Sequence, residues 1–74
     1  MDEQKIFLKQ FGKNVKYIRL QQNLTIKELA LLSGIPYTYL SKIENGEAVK
    51  VSTKHLWKLH YALKIPVYNF FKSL

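Results

Sequence analysis

Residues 25–46 read TIKELALLSGIPYTYLSKIENG, and this stretch decides the fold. Thr25, followed three residues on by Glu28, is a capping box. The hydroxyl caps a main-chain N–H at the start of a helix and the carboxylate reaches back. Leu29, Ala30 and Leu32 then supply an apolar side until Gly34 stops the helix. Pro36 suits the first turn of another helix. That helix runs to Asn45 and Gly46, with Leu40 and Ile43 pointing inward together. Tyr37, Thr38, Ser41 and Lys42 are left on the opposite side. Two short helices joined by the turn Ser33-Gly34-Ile35 have the pattern of a helix-turn-helix unit.

Upstream, Leu8, Phe11, Val15 and Ile18 recur at i, i+3, i+7 and i+10, which is one face of a helix. Its other sides carry Lys9, Lys13, Lys16 and Gln21. Gly12 weakens such a helix by about 1 kcal/mol relative to Ala unless another helix packs closely there. Asn23 suits the left-handed position beyond the helix end. Downstream, Glu47 to Val51 reads as a loop, and Ser52 caps a fourth helix with Leu56, Leu59 and Leu63 on its inner face. Ile65-Pro66 breaks that helix, and Val67 to Leu74 form a last short aromatic helix with Phe70 and Phe71. The expected architecture is all-α: a compact bundle of five short helices containing the helix-turn-helix, in one domain spanning residues 1–74.

The composition narrows the chemistry. In 74 residues, 12 Lys and Arg face 5 Asp and Glu, a formal net charge of +7, and 47% of residues are hydrophobic. That is too apolar for a disordered basic tail. With no Cys, disulfides, thiolate catalysis and Cys-ligated zinc are excluded. No apolar run approaches the roughly 18 residues of a membrane span. The opening Met1, Asp2 and Glu3 is acidic where a signal peptide is basic, so a cytoplasmic protein is expected. His55 and His60 stand five apart and project from different sides of one helix, whereas helical zinc pairs use i, i+4. Ser33, Ser41, Ser52 and Ser73 have no local base, and Glu44 and Glu47 flank a turn with only Lys neighbours. The three glycines are scattered at 12, 34 and 46 and form no phosphate loop. The chain is therefore not expected to be an enzyme, nor to hold a cofactor or a metal.

A charge of +7 on a small helical domain makes a positive field suited to a nucleic acid, since neutralised phosphates release counterions. From Phe11 to Phe71 the chain resembles the Xre/Cro/CI-type, lambda-repressor-like helix-turn-helix transcriptional regulators. The resemblance is carried by Phe11-Gly12, Val15 and Ile18-Arg19, and then by Leu24-Thr25, Glu28-Leu29-Ala30 and Ser33-Gly34-Ile35. It continues through Tyr39-Leu40-Ser41-Lys42-Ile43-Glu44-Asn45-Gly46 and ends with Leu56, Leu59, Ala62-Leu63 and Ile65-Pro66. Within the family the chain is similar to the compact controller proteins of restriction–modification systems, which also end near an Ile-Pro and Phe-Phe segment.

The resemblance implies a homodimeric, sequence-specific DNA-binding regulator that reads a pseudo-palindromic operator with its third helix in the major groove. It assigns base reading to Tyr37, Thr38, Ser41 and Lys42. Contacts to the DNA backbone fall to Lys13, Thr25, Lys27, the Tyr39 hydroxyl and Asn45, and Lys50 is either a phosphate contact or a solvated loop lysine. The Tyr39 ring is expected on the second helix. Arg19 and Glu44 match a buried structural ion pair. Dimer contacts are expected among Trp57, His60, Tyr61, Val67 and Phe70, with Phe71 in the core. Three positions depart from the family pattern. Ile26 replaces a frequent Gln, Pro36 replaces a Ser or Thr cap, and the loop after Gly46 is one residue longer. The competing reading is an antitoxin-like or adaptor module that docks through the aromatic C-terminal surface. Double-stranded DNA, a second copy and a further regulatory protein are the expected partners, and a membrane is not among them.

Overall fold

The computed structural model describes residues 2–48 and 50–72. Among them, four α-helices follow in order: α1 (Glu3–Gln21), α2 (Ile26–Ser33), α3 (Tyr37–Glu44) and α4 (Thr53–Leu63). A 3-10 segment, Val67–Phe71, takes the place of the expected fifth helix. Ser73 and Leu74, also assigned to that helix by the sequence, lie outside the described residues.

Each boundary has a local cause. The Asp2 side chain accepts from Gln4 N at 3.0 Å and starts α1; Asn23, at φ 58°, takes the left-handed turn after it. The capping box of α2 is complete, with Glu28 N donating to Thr25 Oγ1 at 3.1 Å and Thr25 N donating to Glu28 Oε1 at 2.8 Å. Gly34 ends α2 at φ 76°, and the Ser33 hydroxyl accepts from Ile35 N at 3.1 Å to fix the turn. Pro36 gives α3 no side-chain cap, so α3 depends on packing. Ser52 caps α4 by accepting from His55 N at 3.3 Å.

The inward faces of these elements meet in one core. α1 packs against α3 and the 3-10 segment, and α2 against α3 and α4. Phe11, Val15, Leu29, Leu40, Leu59 and Phe70 are fully sequestered, and side chains of this kind stabilise the fold by about 1.5–3 kcal/mol each. Gly12 marks the closest approach of two helices. A Cβ there would lie 2.2 Å from the Ile43 carbonyl oxygen and 2.8 Å from that of Glu44. The glycine is thus the residue that lets the α1 backbone rest on the C-terminal end of α3.

Two expectations are corrected. Leu32 is 57% exposed and Leu31 85% exposed, so Leu32 does not join the apolar side of α2. The inward stripe is Ile26, Leu29, Ala30 and Ser33, and at 100° per residue Leu32 points away from its centre. Phe70, expected at a dimer surface, is 0% exposed. The Asn14 amide donates to the Phe70 and Lys72 carbonyls, both at 2.8 Å. This pins the 3-10 segment to α1 and turns Phe70 inward, with its ring 6.0 Å from that of Phe11. Phe71 is half-buried at the edge, between Phe7 and Phe11.

Candidate nucleic-acid interface

α3 has two unlike faces. Leu40, Ile43 and Glu44 are buried, whereas Tyr37, Thr38 and Lys42 are exposed and Ser41 is half-buried. Among the described residues, none of these last four side chains hydrogen-bonds to another part of the chain. They are left free to meet a partner. Eight residues make a rod about 12 Å long, a size that a DNA major groove of similar width admits.

The rod is held by an ion pair between distant parts of the sequence. Arg19 Nε donates to Glu44 Oε2 at 2.7 Å and Arg19 Nη2 to Glu44 Oε1 at 3.0 Å. The remaining Nη1 donates to the Leu24 carbonyl at 2.8 Å. With Arg19 8% and Glu44 6% exposed, the fork is bidentate and all but closed to water, the geometry in which Arg–carboxylate bonds are strongest. One guanidinium thereby ties α1, the start of the helix-turn-helix and the end of α3 together.

The residues assigned to the DNA backbone come from α1, α2, the end of α3 and the loop after it. Lys13, Lys27, Asn45 and Lys50 are exposed. Lys27 and Tyr37 line one shallow apolar depression with Leu31 and Pro36, which puts a cation of α2 beside the first residue of α3. Thr25 is exposed, and its hydroxyl accepts the cap bond from Glu28 N. Hydrogen bonds from the Thr25 main chain and side chain hold the Glu28 carboxyl below its ordinary pKa. Ile26, half-buried, packs on the core and offers no hydrogen bond from its side chain.

Tyr39 differs from expectation. Its ring lies beside that of His55 on α4, with centroids 4.8 Å apart. Its hydroxyl, expected at a phosphate, donates to the Lys50 main-chain carbonyl. His55 has a role that its spacing from His60 does not suggest. Its Nδ1 accepts from Ser52 N at 3.2 Å and completes a capping box at the spacing usually filled by Glu or Gln. Burial pushes the His55 pKa down, assisted by the positive charges of Lys58 and Lys54. The signal was present in the sequence as Ser52 followed three residues later by a side chain with an acceptor.

The residues assigned to a dimer surface separate into three situations. Trp57 and Tyr61 are exposed and stacked on one another, centroids 5.3 Å apart and 24° between planes. Val67 is at the margin of exposure. His60 is half-buried, and its Nδ1 lies 2.5 Å from the Ile65 carbonyl oxygen, so that nitrogen carries the proton and donates. Phe70, in the core, has no surface to offer. Among the described residues no helix is long and apolar enough to cross a membrane.

Known proteins resemble the chain in sequence and in fold. A helix-turn-helix family model, HTH_3, matches residues 15–68. The chain is 37% identical over 59 residues to RghRB, an uncharacterized HTH-type transcriptional regulator of Bacillus subtilis, covering 80% of this chain and 42% of that protein. It is 36% identical over 59 residues to RghR, an HTH-type transcriptional repressor of the same organism, covering 80% of this chain and 44% of the repressor. The chain therefore spans less than half the length of these relatives. Among solved structures, the restriction–modification controller protein C.AhdI from Aeromonas hydrophila superposes with a TM-score of 0.83 at 33% identity, over 86% of this chain and 96% of the controller.

Proposed function

The chain belongs to the helix-turn-helix family HTH_3, and from that membership we propose that it is a sequence-specific, DNA-binding transcriptional regulator that works as a homodimer in the cytoplasm. It uses no cofactor and no catalytic step. The observation that carries the reading is the division of α3: a buried face locked by the Arg19–Glu44 fork and an outer face of unbonded polar side chains. Such a helix is rigid where it must be aimed and open where it must read. In this reading the Lys42 ammonium donates to guanine O6 and N7, and the Thr38 methyl touches a thymine methyl. Tyr37 and Ser41 line the same groove wall. Lys13, Lys27, Asn45 and Lys50 hold phosphates, which set register without reading sequence.

Two-fold pairing through Trp57, Tyr61 and Val67 sets the recognition helices about 34–36 Å apart, one turn of B-DNA. The stacked, solvent-open Trp57–Tyr61 pair supports this, because aromatic side chains are enriched at interfaces. The same pair supports the competing reading of an adaptor or antitoxin-like module whose main partner is another protein.

Selection of bound duplexes from a randomised library at about 150 mM salt, followed by sequencing, separates the two readings. The regulator reading expects an enriched inverted repeat with half-sites one helical turn apart. It also expects affinity to fall about 10³–10⁵-fold between 50 and 200 mM salt if about 6–10 phosphates are contacted. Lys42→Ala and Thr38→Ala should relax base preference, while Lys13→Ala and Lys27→Ala should weaken binding to all sequences alike. No enrichment, together with a monomer in solution, would overturn it and favour the module.

A further inference from the structure

The loop joining α3 to α4 is tied down unevenly. Its first part is closed onto the Lys42 carbonyl by Glu47 N at 2.8 Å and Ala48 N at 3.2 Å, and Ala48 is buried. Its last residue, Ser52, is held by the cap of α4 through His55 Nδ1. Lys50 lies between these anchors and is exposed. Among the described residues its carbonyl has one hydrogen-bond partner, the Tyr39 hydroxyl. Tyr39 belongs to α3, the same helix that carries Tyr37, Thr38, Ser41 and Lys42. Its ring is seated beside that of His55, which helps to hold the phenol at the loop.

We propose that Tyr39 is a positioning residue for DNA: its bond to the Lys50 carbonyl fixes that stretch of loop relative to α3, so that the Lys50 ammonium meets a backbone phosphate in register with the side chains that read bases. The proposal rests on the DNA-binding reading above. Two physical arguments carry it. A phenol has one proton to give, and here that proton is committed to the loop. A segment already ordered in the free protein also avoids the entropic cost of being ordered on binding. The bond therefore spares each protomer the ordering of the Lys50 main chain at the moment of contact.

The test compares the wild type, Tyr39→Phe, Lys50→Ala and the double variant. Each is titrated by fluorescence anisotropy with a labelled mixed-sequence duplex of about three helical turns, at several salt concentrations. Tyr39→Phe keeps the ring and its contact with His55, so the fold is retained. The expected result is a loss of affinity of about 3- to 10-fold for Tyr39→Phe, with a shallower dependence on salt. Lys50→Ala should reduce the salt slope by about one phosphate per protomer, and Tyr39→Phe should add nothing in the Lys50→Ala background. The same loss in both backgrounds would mean that the phenol touches DNA directly, and would overturn the proposal. So would a lowered melting temperature with the salt slope unchanged, which is the mark of a purely structural bond. Normal duplex binding by Tyr39→Phe would sink the proposal alone, whereas a wild type that binds no duplex would sink the DNA reading beneath it.

Discussion

Replacing Gly12 by alanine sets two ordinary rules against each other. Helix propensity favours the change, since alanine is better than glycine in a helix interior by about 1 kcal/mol. Packing opposes it. The new methyl would lie 2.2 Å from the Ile43 carbonyl oxygen and 2.8 Å from that of Glu44, where ordinary contact begins near 3.4 Å. Both obstacles are main chain, so no change of rotamer relieves them, and α1 must part from α3 by about 1 Å. That movement also pulls on the Arg19–Glu44 fork, whose bonds are 2.7 and 3.0 Å long. Overpacking costs about 1–3 kcal/mol, and a backbone obstacle belongs at the upper end. Net of the propensity gain, Gly12→Ala should destabilise the protein by about 2 kcal/mol, a large share of the roughly 4–11 kcal/mol expected for a domain of this length. Melting followed by circular dichroism should show a fall of about 8–16 °C. Gly34→Ala is the control. Nothing lies within 4 Å of its added Cβ, yet φ is 76°, so its cost of about 1–2 kcal/mol comes from the backbone alone. A Gly12→Ala protein that melts at or above the wild-type temperature would refute the close approach of α1 and α3.

Three further changes test other parts of the structure. Glu44→Ala strands the buried Arg19 guanidinium with only the Leu24 carbonyl, and urea unfolding should show a loss of about 3–5 kcal/mol; a loss below about 1 kcal/mol would mean that water already solvates the pair. Lys64 ends α4 in the left-handed region at φ 56°, so Lys64→Gly should raise stability by about 0.5–1 kcal/mol, and a lower urea midpoint would contradict the assigned backbone. His55 has its pKa lowered from 6.5, so the unfolded chain takes up that proton first. Its contribution is complete above the unfolded pKa and is lost as pH falls through the folded one. The wild type should therefore lose melting temperature between about pH 7.5 and pH 5, and His55→Gln, which keeps a cap acceptor at the same spacing, should lose less. Parallel curves for the two proteins would remove His55 from the account.

The ends of the helices were legible because each is set by chemistry within about four residues. Thr25 with Glu28, Gly34, Asn23 and Ser52 all act where the sequence places them. Gly12 was legible as a question, and the Ile43 and Glu44 carbonyls answer it. The Arg19–Glu44 fork spans 25 residues, and only the family resemblance pointed to it, since local pattern carries no distances between helices. The inner face of α2 was misread at Leu32 because Leu29, Leu31 and Leu32 compete within an eight-residue helix. Two turns of periodicity do not choose among them. Phe70 and Phe71 posed the same problem, and the decision falls to an Asn14 amide 56 residues away. The Tyr39 bond to the loop was not legible because its partner is a main-chain carbonyl, a group every residue has and no side-chain pattern reveals.

The two-faced construction of α3 also bears on how such a protein changes over generations. Leu40, Ile43 and Glu44 attach the helix, whereas the side chains of Tyr37, Thr38 and Lys42 are exposed and form no hydrogen bond among the described residues. Substitutions at exposed positions without such partners shift stability by only about ±0.5 kcal/mol. Mutation can therefore redraw the outer face one residue at a time while the scaffold stays folded at every step. Changes on that face are therefore separable from changes in the shape of the domain.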